Sequence, residues 1–299
     1  MIAPDLDPSQ LSILGRLTRA DVRHDPYPHI VIEDCLPLQL YQELARTYPA
    51  DETILGLEPG DNVSHPPRQN SRHDVSAPRI LARPEHFGAA WRAFVAYHTS
   101  NAFYREFVRL LGPEIVGSYP HLERRIGSAL ANFTTGMLGD SGSGNCQLLL
   151  DCHIGINTPA IRRSSVRRVH TDAPDELFAA LLYFRRDEDT VSGGDLEILR
   201  WRENRGHRFV GSEVDESDAE LVYTVPYRAN TAVIFINSDD ALHAVSERDS
   251  TALSRRLVNV MGRFRQALPE GLFTKRQKMT PRALGRRALQ HYRKARGRF

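Results

Sequence analysis

Between residues 128 and 264 the chain reads as a succession of short β-like runs with no helical pattern between them. Residues 128–135, 147–157, 177–184, 196–201, 221–225, 231–237 and 257–264 are rich in aliphatic, aromatic and β-branched side chains, and Gly, Pro, Asn and Asp separate them. Seven strands without intervening helices point to an antiparallel sandwich or barrel.

The first third is different. Residues 8–20 carry a short helical pattern, and residues 29–33 read as a strand. Pro37 stands where a helix through residue 47 begins, a place that suits its missing N–H. Residues 50–82 lack periodicity and read as loop, which makes His65, His73 and Asp74 loop residues. Residues 85–111 are the most helical part, with Phe87, Trp91, Phe94, Val95 and His98, then Phe103, Phe107, Leu110 and Leu111, at three- and four-residue steps around an expected N-cap at Ser100. After Pro113 the pattern turns to strand. The expected organisation is one domain over 1–274, with helical support over about 1–115 and a β core over about 116–266, followed by a basic segment 275–299.

A hydrophobic content of 41% with 25% charged residues is ordinary for a soluble domain. Cys146 and Cys152 lie six apart in a strand-like run, roughly 20 Å along one face, and cannot bridge. Three cysteines without a workable pair suit a reducing compartment. The N-terminus has no basic and apolar leader pattern, and no apolar run approaches the roughly 18 residues of a membrane span, so a cytoplasmic protein is expected. Residues 275–299 hold ten Lys or Arg and no acid, which leaves 29 basic against 37 acidic residues elsewhere. The segment is either a solvated helix lying on that acidic body or an arm for an acidic partner. No motif for sequence-specific nucleic-acid reading accompanies it.

The chemistry-bearing residues lie in 169–264. His170-Thr171-Asp172 is weak by itself, because 12 His and 20 Asp make about one His-x-Asp by chance in 299 residues. In a strand, however, residues i and i+2 share a face, so His170 and Asp172 can reach one point. His243, 71 residues beyond Asp172 and just past the run 231–237, suits a third ligand from a distant strand. Two histidines and one carboxylate with open positions is the facial arrangement of non-heme Fe(II) oxygenases.

In order, His170-Thr171-Asp172, Ser192-Gly193-Gly194-Asp195-Leu196, Asn230-Thr231-Ala232-Val233-Ile234-Phe235, Leu242-His243-Ala244-Val245 and Arg255-Arg256-Leu257 resemble the core of the Fe(II)/2-oxoglutarate-dependent oxygenases. The prolyl-4-hydroxylase-like branch, with its bacterial and phage members of unassigned substrate, is the part of the superfamily the motifs resemble most. The resemblance covers about a third of the chain, and Tyr27-Pro28-His29-Ile30-Val31-Ile32 extends it. It implies a mainly β fold with supporting helices, a distorted double-stranded β-helix or jelly roll. It also implies Fe(II) on His170, Asp172 and His243, 2-oxoglutarate as co-substrate, and O2. Dioxygen and 2-oxoglutarate would be consumed to hydroxylate an unactivated C–H, with release of succinate and CO2. Related halogenases lack the carboxylate that Asp172 supplies here, which favours hydroxylation.

The far carboxylate of 2-oxoglutarate needs a cation, and a guanidinium can grip it through two bonds. Arg255 and Arg256 both stand at the start of the last strand. The family pattern favours Arg255. The small hydroxyl residue usual two places on is replaced by Leu257, leaving Asn259 for a polar contact. By position, Leu196 lines the co-substrate pocket and Asn157 hydrogen-bonds within it. Arg162-Arg163-Ser164-Ser165-Val166-Arg167-Arg168 precedes the triplet. Arg162, Arg163 and Arg167 either form a rim that recognises an anionic substrate, small or polymer-linked, or belong to a solvated basic loop. Two other classes stay open. One is a non-catalytic jelly-roll module binding a metal or ligand, and the other a zinc hydrolase using the same His, Asp and His.

Overall fold

A computed structural model of the chain describes residues 8–57, 68–140, 142, 144–203, 207–266, 268 and 271–277. His65 and the basic segment from residue 278 onward lie outside the described residues. The helices are α1 (Pro8–Leu11), α2 (Leu38–Arg46), α3 (Asp51–Leu57), α4 (Ala77–Leu81), α5 (Ala89–His98), α6 (Asn101–Ser118) and α7 (Leu122–Ile126). The strands are β1 (His29–Ile32), β2 (Arg72–Val75), β3 (Thr135–Met137), β4 (Leu148–Asn157), β5 (Glu176–Tyr183), β6 (Leu196–Trp201), β7 (Phe209–Val210), β8 (Glu213–Val214), β9 (Ala219–Val225), β10 (Ala232–Ile236), β11 (Leu242–Val245) and β12 (Arg255–Phe264).

Two sheets face each other. The larger runs β1-β10-β5-β12-β4-β2, with β3 beside β4, and the smaller runs β11-β6-β9. A backbone bridge from His170 to His243 extends the smaller sheet past β11. The chain crosses from one sheet to the other and back between β4 and β12, and all these pairings are antiparallel except β3 with β4, which is parallel. This is the double-stranded β-helix, a mainly β jelly roll with supporting helices.

Strand alternation sorts the core. On β4, β5, β10 and β12, Ile154, Ile156, Ala180, Leu182, Ile234, Val258 and Val260 face the helices and join Trp91, Phe94, Phe103, Phe107 and Leu111 in one cluster. The alternate residues Ala179, Tyr183, Val233, Phe235 and Leu257 meet Leu196, Ile198 and Val225 between the sheets. The helical layer therefore seals one face of the large sheet, and the other face is left to line the barrel.

Several local expectations change. The 8–20 pattern breaks into α1 and a separate single turn at Arg19–Asp21. Residues 50–82 are not a loop, because α3, β2 and α4 lie there. β2 is polar and short, and its extended form comes from pairing with β4, which no local pattern announces. The run 128–135 is a helical turn at Leu130–Asn132 followed by β3. Helix α6 passes through Pro113 to Ser118 because the buried stripe of Phe107, Leu111 and Ile115 continues beyond it. Ser100 caps α6, its side chain accepting the Phe103 N–H. The three cysteines are free and buried. Among the described residues, no helix is long and apolar enough to cross a membrane.

Candidate metal and co-substrate site

His170 and His243 are cross-strand partners. His170 N donates to His243 O at 3.0 Å, and His243 N donates to His170 O at 2.9 Å. Their rings therefore stand side by side, centroids 4.2 Å apart. His170 Nδ1 lies 2.7 Å from Arg168 O, and His243 Nδ1 lies 2.9 Å from Ala241 O. A carbonyl can only accept, so each Nδ1 carries the proton and each Nε2 presents its lone pair. Both Nε2 atoms face Asp172 Oδ1, at 3.8 Å from His170 and 3.6 Å from His243. The three donor atoms lie within 4.8 Å of one another, and among the described residues no other His, Cys, Asp or Glu cluster has metal-ligand geometry.

Asp172 does not sit on a regular strand; it follows the single bridge residue His170, and Lys275 Nζ donates to the intervening Thr171 O at 2.7 Å. Burial pushes the Asp172 carboxyl up, but the electropositive surroundings made by His243, then His170 and Lys275, outweigh it and hold the group at about 2. Burial is also the main force keeping His170 well below its ordinary value, reinforced by His243 and Arg167. A neutral imidazole beside an ionised carboxylate is the donor state a divalent metal requires.

Arg255 occupies the inner face of β12 and is 2% exposed. Its Nε donates to Gly194 O at 2.7 Å, and its Nη1 reaches Asn157 Oδ1 at 3.4 Å. The guanidinium carbon lies 4.8 Å from the ring centres of both Tyr183 and Tyr227. Among the described residues no carboxylate pairs with it. Arg255 Nη2, Asn157 Nδ2 and Tyr183 Oη are all buried without a hydrogen-bond partner. A buried, unpaired cation beside orphaned donors is costly unless an anion completes the group.

The Gly193-Gly194 turn makes this possible. Both residues have positive φ, 84° and 80°. A Cβ on Gly193 would lie 1.8 Å from Glu247 O, and one on Gly194 would lie 3.2 Å from Arg255 Cδ. Beneath the turn, the buried pair Arg248 Nη2–Asp189 Oδ2, 2.6 Å apart, anchors the approach to β12.

The triad and Arg255 line one cavity of about 660 Å³, together with Asn157, Leu196, Leu257, Asn259 and Arg167. This is an ordinary size for a small-molecule site. Arg256 is not among its walls. It points to the opposite face of β12, its guanidinium 4.9 Å from the Tyr48 ring centre, because strand alternation separates neighbours. Arg162 and Arg163 are also elsewhere. They line a separate cavity with Glu197 and Glu216 on the far side of their loop, and Arg163 pairs with Glu247 at 2.9 Å. Of the three expected rim arginines only Arg167 borders the metal cavity.

The sequence reading missed Arg68, Arg72, Asp74, His153, Glu176 and Arg263, which also line the cavity. Arg72 and Asp74 arrive on the unforeseen β2. His153 had a visible signal: Asp151, His153 and Asn157 share one face of an otherwise apolar strand, with Gly155 between the last two.

No family model matches the chain, and no curated protein matches it. Solved structures match it at low identity. A prolyl-4-hydroxylase from Pseudomonas putida is 15% identical, covering 80% of this chain and 92% of that one, with a TM-score of 0.42. The Fe(II)/(alpha)ketoglutarate-dependent dioxygenase TqaL is 11% identical, covering 91% and 95%, with a TM-score of 0.46. The non-heme alpha-ketoglutarate-dependent carbocyclase SnoK from nogalamycin biosynthesis is 16% identical, covering 90% and 96%, with a TM-score of 0.41. At these values any functional reading rests on the residues themselves.

Proposed function

We propose that this chain is an Fe(II)- and 2-oxoglutarate-dependent oxygenase that hydroxylates an unactivated C–H. The observation that carries the reading is the buried Arg255 guanidinium, with no carboxylate partner among the described residues, in the same cavity as His170, Asp172 and His243. A zinc hydrolase needs the triad but has no use for that cation. A metal-binding module without chemistry has no use for a buried guanidinium in the cavity of its metal ligands.

The donor set fits the group. His170 Nε2, His243 Nε2 and an Asp172 carboxylate oxygen would hold Fe(II) on one face, leaving positions for co-substrate and oxygen. Arg255, with Asn157 and Tyr183, would bind the far carboxylate of 2-oxoglutarate, and Leu196 and Leu257 would flank its carbon chain. Bound together, iron, 2-oxoglutarate and O2 supply the oxidising chemistry, turning 2-oxoglutarate into succinate and CO2 as the substrate C–H becomes C–OH.

The protein's own part is placement and exclusion. The carbonyls of Arg168 and Ala241 hold the imidazole tautomers, so neither ring must shed a proton to bind metal. Phe235, its ring centre 4.7 Å from that of His243, and Tyr27, donating to Leu242 O at 3.0 Å, keep that side of the site packed. The substrate would be an anionic small molecule or polymer-linked group. Arg68 and Arg167 line the cavity, and among the described residues neither pairs with a carboxylate.

The test is anaerobic reconstitution with Fe(II), followed by measurement of succinate on adding 2-oxoglutarate and O2 across carboxylate- and phosphate-bearing candidates. Expected is succinate that requires all three components. Oxygen-independent hydrolysis supported by Zn(II) alone would contradict the reading.

A further inference from the structure

The metal triad and the co-substrate residues leave one part of the cavity lining without a task. Along β4, residues 151, 153, 155 and 157 alternate onto the inner face, with Asn259 of β12 directly opposite His153. His153 lines the metal cavity, and its Nε2 lies 2.8 Å from Asp151 Oδ2. Asp151 is 2% exposed, and its other oxygen accepts the N–H groups of Ala77 and Cys152, each at 2.8 Å. The carboxylate is thus fixed by backbone, and as a pure acceptor it keeps the proton on His153 Nε2. Nδ1 is left as the nitrogen available to a ligand.

The neighbouring strand is shaped around the same spot. Asp74 of β2 lies across Gly155, where a Cβ would come within 1.9 Å of its Oδ1. Arg72 Nε holds both oxygens of Asp74 at 2.8 Å. Farther along, Arg263 pairs with Glu176 at 2.8 Å. The charged groups around His153 are therefore Asp151 on its own strand, Asp74 and Arg72 on β2, and the Arg263–Glu176 pair on β12 and β5. Burial opposes a charge on His153, as does Arg72, but Asp151 and Asp74 outweigh them and raise its pKa. An acid-backed imidazole, when protonated, is a directed hydrogen-bond donor to an anion.

We propose that His153, backed by Asp151, is the specificity residue of the cavity, donating Nδ1–H to an anionic oxygen of the substrate, carboxylate or phosphate. The proposal rests on the oxygenase reading, because it assigns Arg255 to 2-oxoglutarate and His153 to the substrate. The imidazolium is held by Asp151 through Nε2, and the substrate's uncharged part lies toward the metal triad. Arg68 and Arg167 at the rim draw the same charge inward.

The experiment uses the full chain loaded with Zn(II), a diamagnetic stand-in, and saturated with 2-oxoglutarate so that Arg255 is occupied. The nitrogen resonances of His153 are followed while acetate and, separately, methyl phosphate are added as probes. Expected is a saturable shift at His153 Nδ1 with one or both probes, and a rise in its titration midpoint. The arm that saturates identifies the anion class. In His153→Gln the affinity for that probe falls at least tenfold, while 2-oxoglutarate affinity stays within about twofold. Asp151→Asn, which can still accept the two backbone N–H groups, lowers the midpoint and weakens the probe alongside it. If neither probe perturbs His153 while 2-oxoglutarate binds normally, the specificity proposal is wrong and the oxygenase reading stands. Probe binding unchanged in His153→Gln, or 2-oxoglutarate binding lost with it, also overturns the proposal. Failure of the wild-type chain to bind 2-oxoglutarate at all overturns both.

Discussion

Arg255 and Arg256 are adjacent in the chain and opposite in environment: one guanidinium is buried between Tyr183 and Tyr227 inside the barrel, the other lies over Tyr48 on the helical side. Burial is the main influence lowering the pKa of each, yet only Arg255 shares a cavity with the metal triad. Truncating one partner of a buried, hydrogen-bonded charge pair costs about 2–5 kcal/mol, roughly 30-fold or more in affinity. Arg255→Met should therefore weaken 2-oxoglutarate binding by at least that factor in anaerobic calorimetry, and Arg256→Met by less than about threefold.

The same residue gives an opposite effect on the unliganded protein. Arg255 is a buried charge with no carboxylate partner among the described residues, and replacing such a charge by an apolar side chain of similar volume relieves its desolvation. Thermal unfolding without ligand should show Arg255→Met at least as stable as the parent. Added 2-oxoglutarate should then raise the Tm of the parent only.

Arg248 and Asp189 form an ion pair with both side chains 1% exposed. Breaking such a pair from one side costs about 3–5 kcal/mol, whereas removing both charges costs much less. Chemical denaturation should find Arg248→Met strongly destabilised and Arg248→Met/Asp189→Leu substantially recovered. The single variant should also lose 2-oxoglutarate affinity, because the pair anchors the turn against which Arg255 packs.

Gly193→Ala tests the turn directly. The substitution forces a side chain into φ +84° and against Glu247 O. Positive φ alone costs about 1–3 kcal/mol at a non-glycine residue. The expected result is a loss of at least that size in the unfolding free energy, with weaker 2-oxoglutarate binding in whatever fraction folds.

His98 links stability to pH away from the site. Its Nε2 accepts the Ile13 N–H at 3.2 Å, and its Nδ1 bonds to Phe94 O at 2.8 Å. Burial is the dominant effect, opposed by the Phe94 hydrogen bond, and brings its pKa from 6.5 down to about 4. The unfolded chain thus binds a proton between those values that the folded chain does not. The His98 contribution is complete above pH 6.5 and declines as pH falls toward 4, by about 3 kcal/mol in all. Denaturation from pH 4 to 7 should show this slope in the parent and a flatter one in His98→Gln.

The barrel was legible because its strands carry dense β-branched and aliphatic runs bounded by turn residues, and His170, Asp172 and His243, which the fold brings together, were legible as an ordered set. What stayed hidden depends on pairing across long separations. β2 has only four residues and a polar sequence, so nothing local reveals that Arg72 and Asp74 become a wall of the cavity. Arg162 and Arg163 lie close in sequence to Arg167, but the loop turns them toward Glu247 and away from the metal residues. Which of Arg255 and Arg256 lines the cavity needed the placement of β12 against β4, where Arg255 meets Asn157.

The most direct measurement is the visible charge-transfer absorption that appears when a 2-oxo acid chelates protein-bound Fe(II), recorded without oxygen and without any substrate. Expected is a band requiring both Fe(II) and 2-oxoglutarate, abolished in His170→Ala and His243→Ala, and reached only at much higher 2-oxoglutarate in Arg255→Met. A folded parent protein that gives no band, or histidine variants that give the parent's band unchanged, would contradict the assignment of this cavity to iron and 2-oxoglutarate.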